Sequence, residues 1–568
     1  MFKNLAQFFL NRTELYKDRI AHIEPVNEGY KEYTYHDFRS NVLKLSGYLL
    51  NRIEIDNNSK IALLSENSHY WPVVYFTAHF LGIPVVPLDN KLQAGDNIHF
   101  LRHSQSDILF ADARVYDDLN LEIRSGLNIK EVIVTDTDKS YNVEKSLEQI
   151  LKEAKQLDQI KEYPGFEKTD RESIGAILYT SGTTGSPKGV SLTHGNLLHQ
   201  IDAVPSAIKI SQEDVVIAIL PLFHAFPAVG TMLAPLAAGC RVVFSNTLRA
   251  TKIVNYMRDR DVSIMVGVPA LFDSFKNAME RKIKNSSVVK RTLFGTFKGV
   301  TKLLDVVNIN AGPAVFKKLR QKAGMAKLRL MVSGGAPLMP STGNFFTMLG
   351  IEFVQGYGLT ETAPVLTVNY RSPVNLESVG APVDGVKLRI KDKNKKGYGE
   401  IEAKGDNIMA GYYKNDRATR KVMDNGWIKT GDIGYIDDNG YLYIKGRSKN
   451  VIVTSAGKNI YPEEIEAKLQ HSKYIDEIMV YGRKFDNKNE KVSAIVYPDY
   501  ENLDKYFSKN NIEETSESIF NVIDREVKKY TKNFPVYKKI KNLKIQQEEF
   551  QKTTTRKIKR YLYTSNQE

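Results

Sequence analysis

Tyr179-Thr180-Ser181-Gly182-Thr183-Thr184-Gly185-Ser186-Pro187-Lys188-Gly189 gathers five Ser/Thr hydroxyls, three glycines and a lysine into eleven residues. Directly before it, Ile174-Gly175-Ala176-Ile177-Leu178-Tyr179 is apolar and uncharged, which predicts a buried strand. Glycines let the backbone bend and approach a ligand closely, so that amide N–H groups can point at an anion. The hydroxyls add donors, and Lys188 adds a positive charge suited to a polyphosphate. Pro187 stiffens the exit just ahead of that lysine. The order Pro-Lys-Gly and the glycine–lysine spacing do not fit a Walker A loop. A flexible linker would not follow a core strand or set its lysine behind a proline.

Outward from this loop, strand and helix patterns alternate. Towards the N-terminus, Lys60–Leu64, Pro84–Leu88, Asp107–Ala111 and Glu131–Val134 read as strands, with a helix over Tyr70–Leu81. Residues 1–45 predict a helix, a hairpin around Tyr30–Tyr35 and a second amphipathic helix from His36. Beyond the loop, Val215–Leu220, Arg241–Phe244, Ile264–Val268, Leu328–Val332 and Glu352–Gln355 repeat the strand spacing. Such alternation predicts parallel sheets and an α/β class with two doubly wound halves. From about residue 376 short strands dominate (Val386–Ile390, Gly399–Ala403, Gly440–Ile444), predicting a small β-rich subdomain. Lys445–Asn450 reads as a polar linker, and a smaller lysine-rich α+β unit follows. The expected division is residues 1–446, a hinge at 447–450, and a C-terminal domain over 451–568.

Composition narrows the classes. The 568 residues are 42% hydrophobic, ample for packed cores, and contain no repeat. A single cysteine, Cys240, excludes a disulfide framework and a cysteine-based metal site, fits a reducing cytoplasm, and reads as a small buried hydrophobe. The first residues lack an apolar core with a small-residue cleavage site, so no signal peptide is expected. Val215–Cys240 carries no Asp, Glu, Lys or Arg, but Pro221, Pro227 and Pro235 interrupt any spanning helix, and a soluble, cytoplasmic protein is expected. Net charge is +14, yet no nucleic-acid-binding pattern accompanies it, so a nucleic-acid partner is not expected. Between Arg281 and Lys322, eleven basic residues face one acid, Asp305. That stretch fits peripheral contact with an anionic membrane, and equally a solvated helical face.

Further motifs stand at the predicted strand ends. Pro221-Leu222-Phe223-His224-Ala225-Phe226 follows one strand, Ser333-Gly334-Gly335-Ala336-Pro337 a second, and Gln355-Gly356-Tyr357-Gly358-Leu359-Thr360-Glu361-Thr362 a third. Ligands of open α/β sheets sit beyond the carboxyl ends of strands, so these segments are placed to face one crevice. Later come Trp427-Ile428-Lys429-Thr430-Gly431-Asp432, Lys445-Gly446-Arg447-Ser448-Lys449-Asn450, the run Thr454–Glu466, and Lys552-Thr553-Thr554-Thr555-Arg556-Lys557-Ile558-Lys559-Arg560.

From about residue 5 to 562, the set and its order resemble the adenylate-forming enzymes, the acyl-CoA synthetase and luciferase superfamily, and within it the long-chain fatty acid–CoA ligases. The resemblance implies a large N-terminal domain of two α/β subdomains plus a small distorted β-barrel, followed by a small mobile α+β domain. It implies that Thr180, Ser181, Gly182, Thr183, Thr184 and Lys188 hold the ATP phosphates. Gly334, Gly335, Ala336, Gln355, Gly356, Tyr357 and Gly358 would frame the adenine, with Tyr357 as a flat face. Asp432 would accept from the ribose hydroxyls, and Arg447 would hold ribose or phosphate oxygens. Thr360 is suited to the α-phosphate, Glu361 with Thr180 to Mg²⁺, and His224 to the acyl pocket. Lys449 would be the interdomain hinge, and Gly457 would admit the pantetheine arm of coenzyme A. Asn450 stands where the family commonly has Asp. Lys557 would be the catalytic lysine, with Lys552 and Lys559 near enough to compete, and Arg556 replaces a usual glycine.

The reaction implied is attack of a fatty-acid carboxylate on ATP, giving acyl-AMP and pyrophosphate, then transfer to the thiol of coenzyme A. A carrier-protein acceptor, a medium-chain or aryl acid, and an inactive nucleotide-binding regulator at the membrane surface are the alternatives. Acyl length, oligomeric state and regulation are not legible.

Overall fold

The computed structural model describes the chain apart from residues 137–145, 181–186, 246, 286–295, 297–311, 371–373, 455–457, 487–488, 553–557 and 565–568. Ser181, Gly182, Thr183, Thr184, Gly457, Lys557 and most of the basic segment 281–322 therefore lie outside the described residues. The chain forms two compact units. The first comprises Met1–Thr180, Lys188–Lys387 and Ala403–Ile428, and the second includes Leu388–Glu402 and Lys429–Glu568. Packing thus divides the chain elsewhere than at 447–450. Where a domain packs and where it pivots are separate properties, and the hinge concerns only the second.

Two mixed sheets organise the first unit. In the seven-stranded sheet, Ile174–Thr180, Val85–Pro87, Ile61–Leu64, Ile108–Ala111 and Glu131–Val134 run parallel in that spatial order. These strands are short and almost wholly buried, which is why they read as apolar runs without alternation. In the nine-stranded sheet, Glu352–Gly358, Leu330–Ser333, Ile264–Gly267, Val215–Ala218, Arg241–Phe244 and Ile20–Pro25 run parallel. Tyr30–Thr34 and Val365–Val368 flank that set in the antiparallel sense. One large core of Ile217, Val243, Phe272, Phe346, Phe353 and their neighbours fills one face.

Helix Tyr70–Leu81 is buried on every side except at Tyr70, and ends on Gly82 at φ +75°, the left-handed geometry glycine adopts most easily. The uncharged run after Val215–Ala218 forms a short helix Ala225–Ala228, a π-helical turn Val229–Leu233 and a helix Ala234–Ala238. Among the described residues no helix is long and apolar enough to cross a membrane. Cys240 is fully buried, its Sγ lies 3.0 Å from the Ser211 carbonyl, and burial pushes the thiol up to about 12. It behaves as a small hydrophobe.

The second unit holds most of a five-stranded sheet that includes Lys387–Lys391, Gly399–Lys404, Trp427–Ile436 and Leu442–Arg447. Its remainder is α+β, with Ile475–Asp486 antiparallel to Asn489–Pro498 and the latter parallel to Asn542–Ile545. Helices Pro462–Leu469, Tyr500–Asn510 and Ser516–Tyr530 contribute Ile465, Leu469, Leu503, Phe507 and Ile523 to a separate core.

Candidate active site

The glycine-rich loop does not lead from a strand into a helix. Lys188–Thr193 is itself a strand, antiparallel to Ile174–Thr180, with Thr180 opposite Lys188. Thr180 Oγ1 lies 3.5 Å from the Lys188 carbonyl, at the limit of a hydrogen bond. The strands on either side of residues 181–186 thus pair with each other, and the ladder fixes Lys188 at the start of the second. Sequence reasoning missed this strand because Lys188-Gly189-Val190-Ser191-Leu192-Thr193 offers only two large apolar residues. It is held on its other side by Gly411–Tyr412, which sequence reasoning did not single out.

The nine-stranded sheet brings three of the predicted segments to one edge. Val215–Ala218, Leu330–Ser333 and Glu352–Gly358 point the same way, so the residues after them leave from the same side. Gly334 is where two of these segments meet. A Cβ on it would lie 2.9 Å from the Phe226 ring, so a glycine here lets the two segments approach closely without moving that ring. Gly335 has φ +81°, and Gly335 and Ala336 are exposed. Asn67 holds the start of the His224 segment from both directions. It donates to the Leu220 carbonyl at 2.8 Å and accepts from the Leu222 amide at 3.0 Å. His224 itself is half-buried against Phe223, ring centres 4.3 Å apart.

Gln355 turns inward. Its Nε2 donates to the carbonyls of Leu376 (2.8 Å) and Ser378 (2.6 Å), fixing the base of the turn that follows. Gly356, Tyr357 and Gly358 continue the strand, and Thr360–Thr362 forms one 3₁₀ turn. Thr362 Oγ1 donates to Pro364 O at 2.6 Å and accepts from Leu359 N at 3.0 Å, so the turn presenting Thr360 and Glu361 is closed by its own side chain.

Glu361 Oε1 accepts from the Tyr412 hydroxyl at 2.8 Å, and among the described residues no hydrogen bond engages Oε2. A carboxylate oriented by one oxygen and open at the other fits Mg²⁺, which takes one or two protein ligands and completes its shell with phosphate oxygens and water. Among the described residues no cluster of three His, Cys, Asp or Glu could hold a metal by itself.

In the second unit, Asp432 and Arg447 face each other across paired strands. Arg447 Nε lies 2.9 Å from Asp432 Oδ1, and its Nη1 donates to Thr430 O at 3.1 Å. Thr430 Oγ1 donates to Ile401 O and supports the Asp432 amide at 3.1 Å. Asp432 is thus a buried carboxylate oriented by its ion pair with Arg447. Asp432→Asn should raise the ATP concentration for half-maximal rate by about tenfold to a hundredfold, since a bond to a charged acceptor contributes roughly 1.5–3 kcal/mol. A nucleotide titration of initial rates checks it, and an unchanged value removes Asp432 from the ribose role.

Lys449 lies in the turn Ser448–Asn450. Asn450 Nδ2 donates to Glu463 Oε1 at 2.7 Å. The unusual asparagine thus makes a bond that an aspartate could not, because two carboxylates would then oppose each other.

An apolar void of about 10 Å³ lies beside the His224 segment, bounded by Trp71, Tyr75, Leu222, Ala225, Val229 and Ala363. Leu222 and Ala225 flank His224, and Ala363 follows the Glu361 turn. Trp71 and Tyr75 stack on one helix face, 5.5 Å apart and 17° from parallel. Neither residue was singled out from sequence, where both look like ordinary core.

Comparison with known proteins bears on the family and the fold. The model of one family, described as AMP-binding enzyme, matches residues 9–413. Long-chain-fatty-acid–CoA ligase 1 of Saccharomyces cerevisiae is 29% identical over 508 residues, covering 82% of this chain and 72% of that protein. The chloroplastic long-chain-fatty-acid–[acyl-carrier-protein] ligase AEE15 of Arabidopsis thaliana is 25% identical over 603 residues, covering 93% and 80%. Among solved structures, the anthranilate CoA ligase AuaEII in complex with anthranoyl-AMP superposes with TM-score 0.78 at 19% identity, covering 100% of this chain and 98% of that one. The last likeness is one of fold.

Proposed function

The chain belongs to the AMP-binding enzyme family, and from that premise we propose that it is an ATP-dependent ligase joining a long-chain fatty acid to coenzyme A through acyl-AMP. The observation that carries the proposal is the convergence of the His224, Gly334–Ala336 and Gln355–Glu361 segments on one sheet edge. The long-chain substrate is supported by the yeast relative's name and by the mainly apolar lining of the void beside the His224 segment.

In this reading a carboxylate oxygen of the fatty acid attacks the α-phosphorus, the α–β phosphoanhydride bond breaks, and acyl-AMP and pyrophosphate form. Such transfers are catalysed mainly by positioning and charge stabilisation. Lys188 and the hydroxyls of 180–184 bind the β- and γ-phosphates, Thr360 donates to the α-phosphate, and Tyr357 stacks on the adenine. Glu361 and Thr180 would hold Mg²⁺, which would supply further neutralisation of phosphate charge. Asp432 fixes the ribose, and Lys557 bridges the attacking carboxylate and the α-phosphate. The thiol of coenzyme A then attacks the carbonyl carbon of acyl-AMP, and AMP leaves. Lys449 as pivot and the Gly457 loop as the pantetheine path complete the proposal.

Pyrophosphate release with a panel of free acids from acetate to oleate tests it, with coenzyme A present and absent. Release with palmitate or oleate, together with a coenzyme A thioester, is expected. Release only with short or aromatic acids would replace the substrate. Thioester on a purified carrier protein but not on coenzyme A would replace the acceptor, as the plant relative's name suggests. No release with any acid overturns the reading.

The void is far smaller than a long acyl chain, having room for about one water molecule. A chain must widen it, and Trp71 with Tyr75 closes one side. Trp71→Ala should therefore raise the rate with oleate relative to octanoate several-fold. An unchanged ratio would place the acyl chain elsewhere.

A further inference from the structure

We propose that Tyr412 is a positioning residue that joins the phosphate-binding lysine to the metal-binding carboxylate, so that ATP and Mg²⁺ are bound by one coupled unit. This inference rests on reading the site as one for MgATP. Lys188 Nζ stands 4.8 Å from the centre of the Tyr412 ring. The hydroxyl of the same ring donates to Glu361 Oε1 at 2.8 Å. Tyr412 is 8% exposed, and among the described residues no ion pair joins Lys188 directly to Glu361.

The chemistry of this placement is specific. A lysine and a glutamate within reach of each other would pair, and each would then be withdrawn from its ligand. The ring keeps them apart yet engages both. Its face attracts the ammonium, and its hydroxyl satisfies one carboxylate oxygen while leaving the other open. A cation on the ring face also draws electron density from the phenol, which strengthens the O–H as a donor towards the carboxylate.

The backbone around Tyr412 reaches the same two elements. Tyr412 pairs with Val190 in the ladder, and the Tyr413 amide donates to Gly189 O at 2.7 Å. Towards the other element, the Met409 amide donates to Glu361 O at 3.0 Å, and Asn407 Nδ2 donates to Thr362 O at 2.9 Å. Residues 407–413 thus span from the Lys188 strand to the Glu361 turn, and Tyr412 carries the only ring that touches both groups among the described residues.

Two variants separate the ring from the hydroxyl. Calorimetric titration of the full-length protein with ATP, once in Mg²⁺ and once in EDTA, reads both ligands without turnover. Tyr412→Phe keeps the ring under Lys188, so its affinity in EDTA should stay within about twofold of wild type. Its affinity in Mg²⁺ should fall about tenfold, the usual loss when a partner of a metal ligand is removed. Tyr412→Leu removes ring and hydroxyl together and should weaken ATP under both conditions. A purely structural tyrosine would lower the melting temperature without separating the two conditions. Tyr412→Phe with the wild-type gain from Mg²⁺ overturns this inference alone. Wild type that binds no ATP under either condition overturns the reading of the site, and the inference with it.

Discussion

Lys557→Ala should lower acid-dependent pyrophosphate release roughly a hundred- to a thousandfold, the usual loss when one charge-stabilising donor is removed from a transition state. Thioester formation from supplied acyl-AMP should stay within a few-fold of wild type, because that step no longer develops charge between carboxylate and α-phosphate. Lys557 itself lies outside the described residues, but its neighbours sharpen the expectation. Lys552 Nζ is paired with Glu477 and lies 3.2 Å from Glu549, and Lys552 bridges Ile558. Arg560 holds Glu466 with two bonds, at 2.5 and 2.6 Å, and donates to Val480 O at 2.8 Å. Both ends of the stretch are thus tied to the second unit's core by ion pairs. Lys552 is consumed in that fixture, so Lys552→Met should cost stability in both half-reactions alike. Equal loss of both half-reactions in Lys557→Ala would point to damaged folding. Undiminished pyrophosphate release would pass the role to Lys559.

Gly358→Ala should abolish ATP binding and destabilise the first unit by about 3 kcal/mol or more, the upper range for overpacking a buried site. A Cβ at position 358 would lie 1.7 Å from Pro364 O and 2.8 Å from its carbonyl carbon. Both are backbone atoms, and neither can rotate away. The same carbonyl accepts from the Leu359 amide at 3.1 Å and from Thr362 Oγ1, so moving it opens the turn that presents Thr360 and Glu361. Gly356→Ala is the control for stability alone, because its nearest neighbour would be Thr367 O at 3.3 Å, a contact that a small shift relieves. Thermal denaturation and ATP titration of the two variants separate the cases. A Gly358→Ala protein that binds ATP like wild type would show that this turn is not part of the nucleotide site.

Much of the fold was legible because its strands are buried parallel strands, and burial on both faces leaves an apolar run. Helix Tyr70–Leu81 and strand Arg241–Phe244 fall where the sequence pattern predicts them. The motif residues were legible for a different reason. Glycines, hydroxyls and lone charges after a core strand have no use in packing, so they stand out as candidates for ligand binding.

What the sequence could not give were the partners brought in from afar. Tyr412 is 51 positions from Glu361 in the chain, and a tyrosine after a glycine looks like an ordinary turn. Asn67 steadies the His224 segment from 153 positions away. Trp71 and Tyr75 look like core, and only the void between them and Ala225 marks them out for the test of substrate length. The strand at Lys188–Thr193 was hidden because a pairing with a two-residue strand at Gly411–Tyr412 leaves almost no local pattern.

The sequence by itself therefore determined the class of fold, the order of the motifs and the family they resemble, because burial periodicity and residue type are local properties of the chain. The tertiary structure alone decided which groups act on one another: the ring that separates Lys188 from Glu361, the arginine that orients Asp432, and the two aromatic rings that close the void. Tyr412 lies far along the chain from Lys188 and Glu361, and Trp71 and Tyr75 lie far from Ala225, so folding alone brings these groups together.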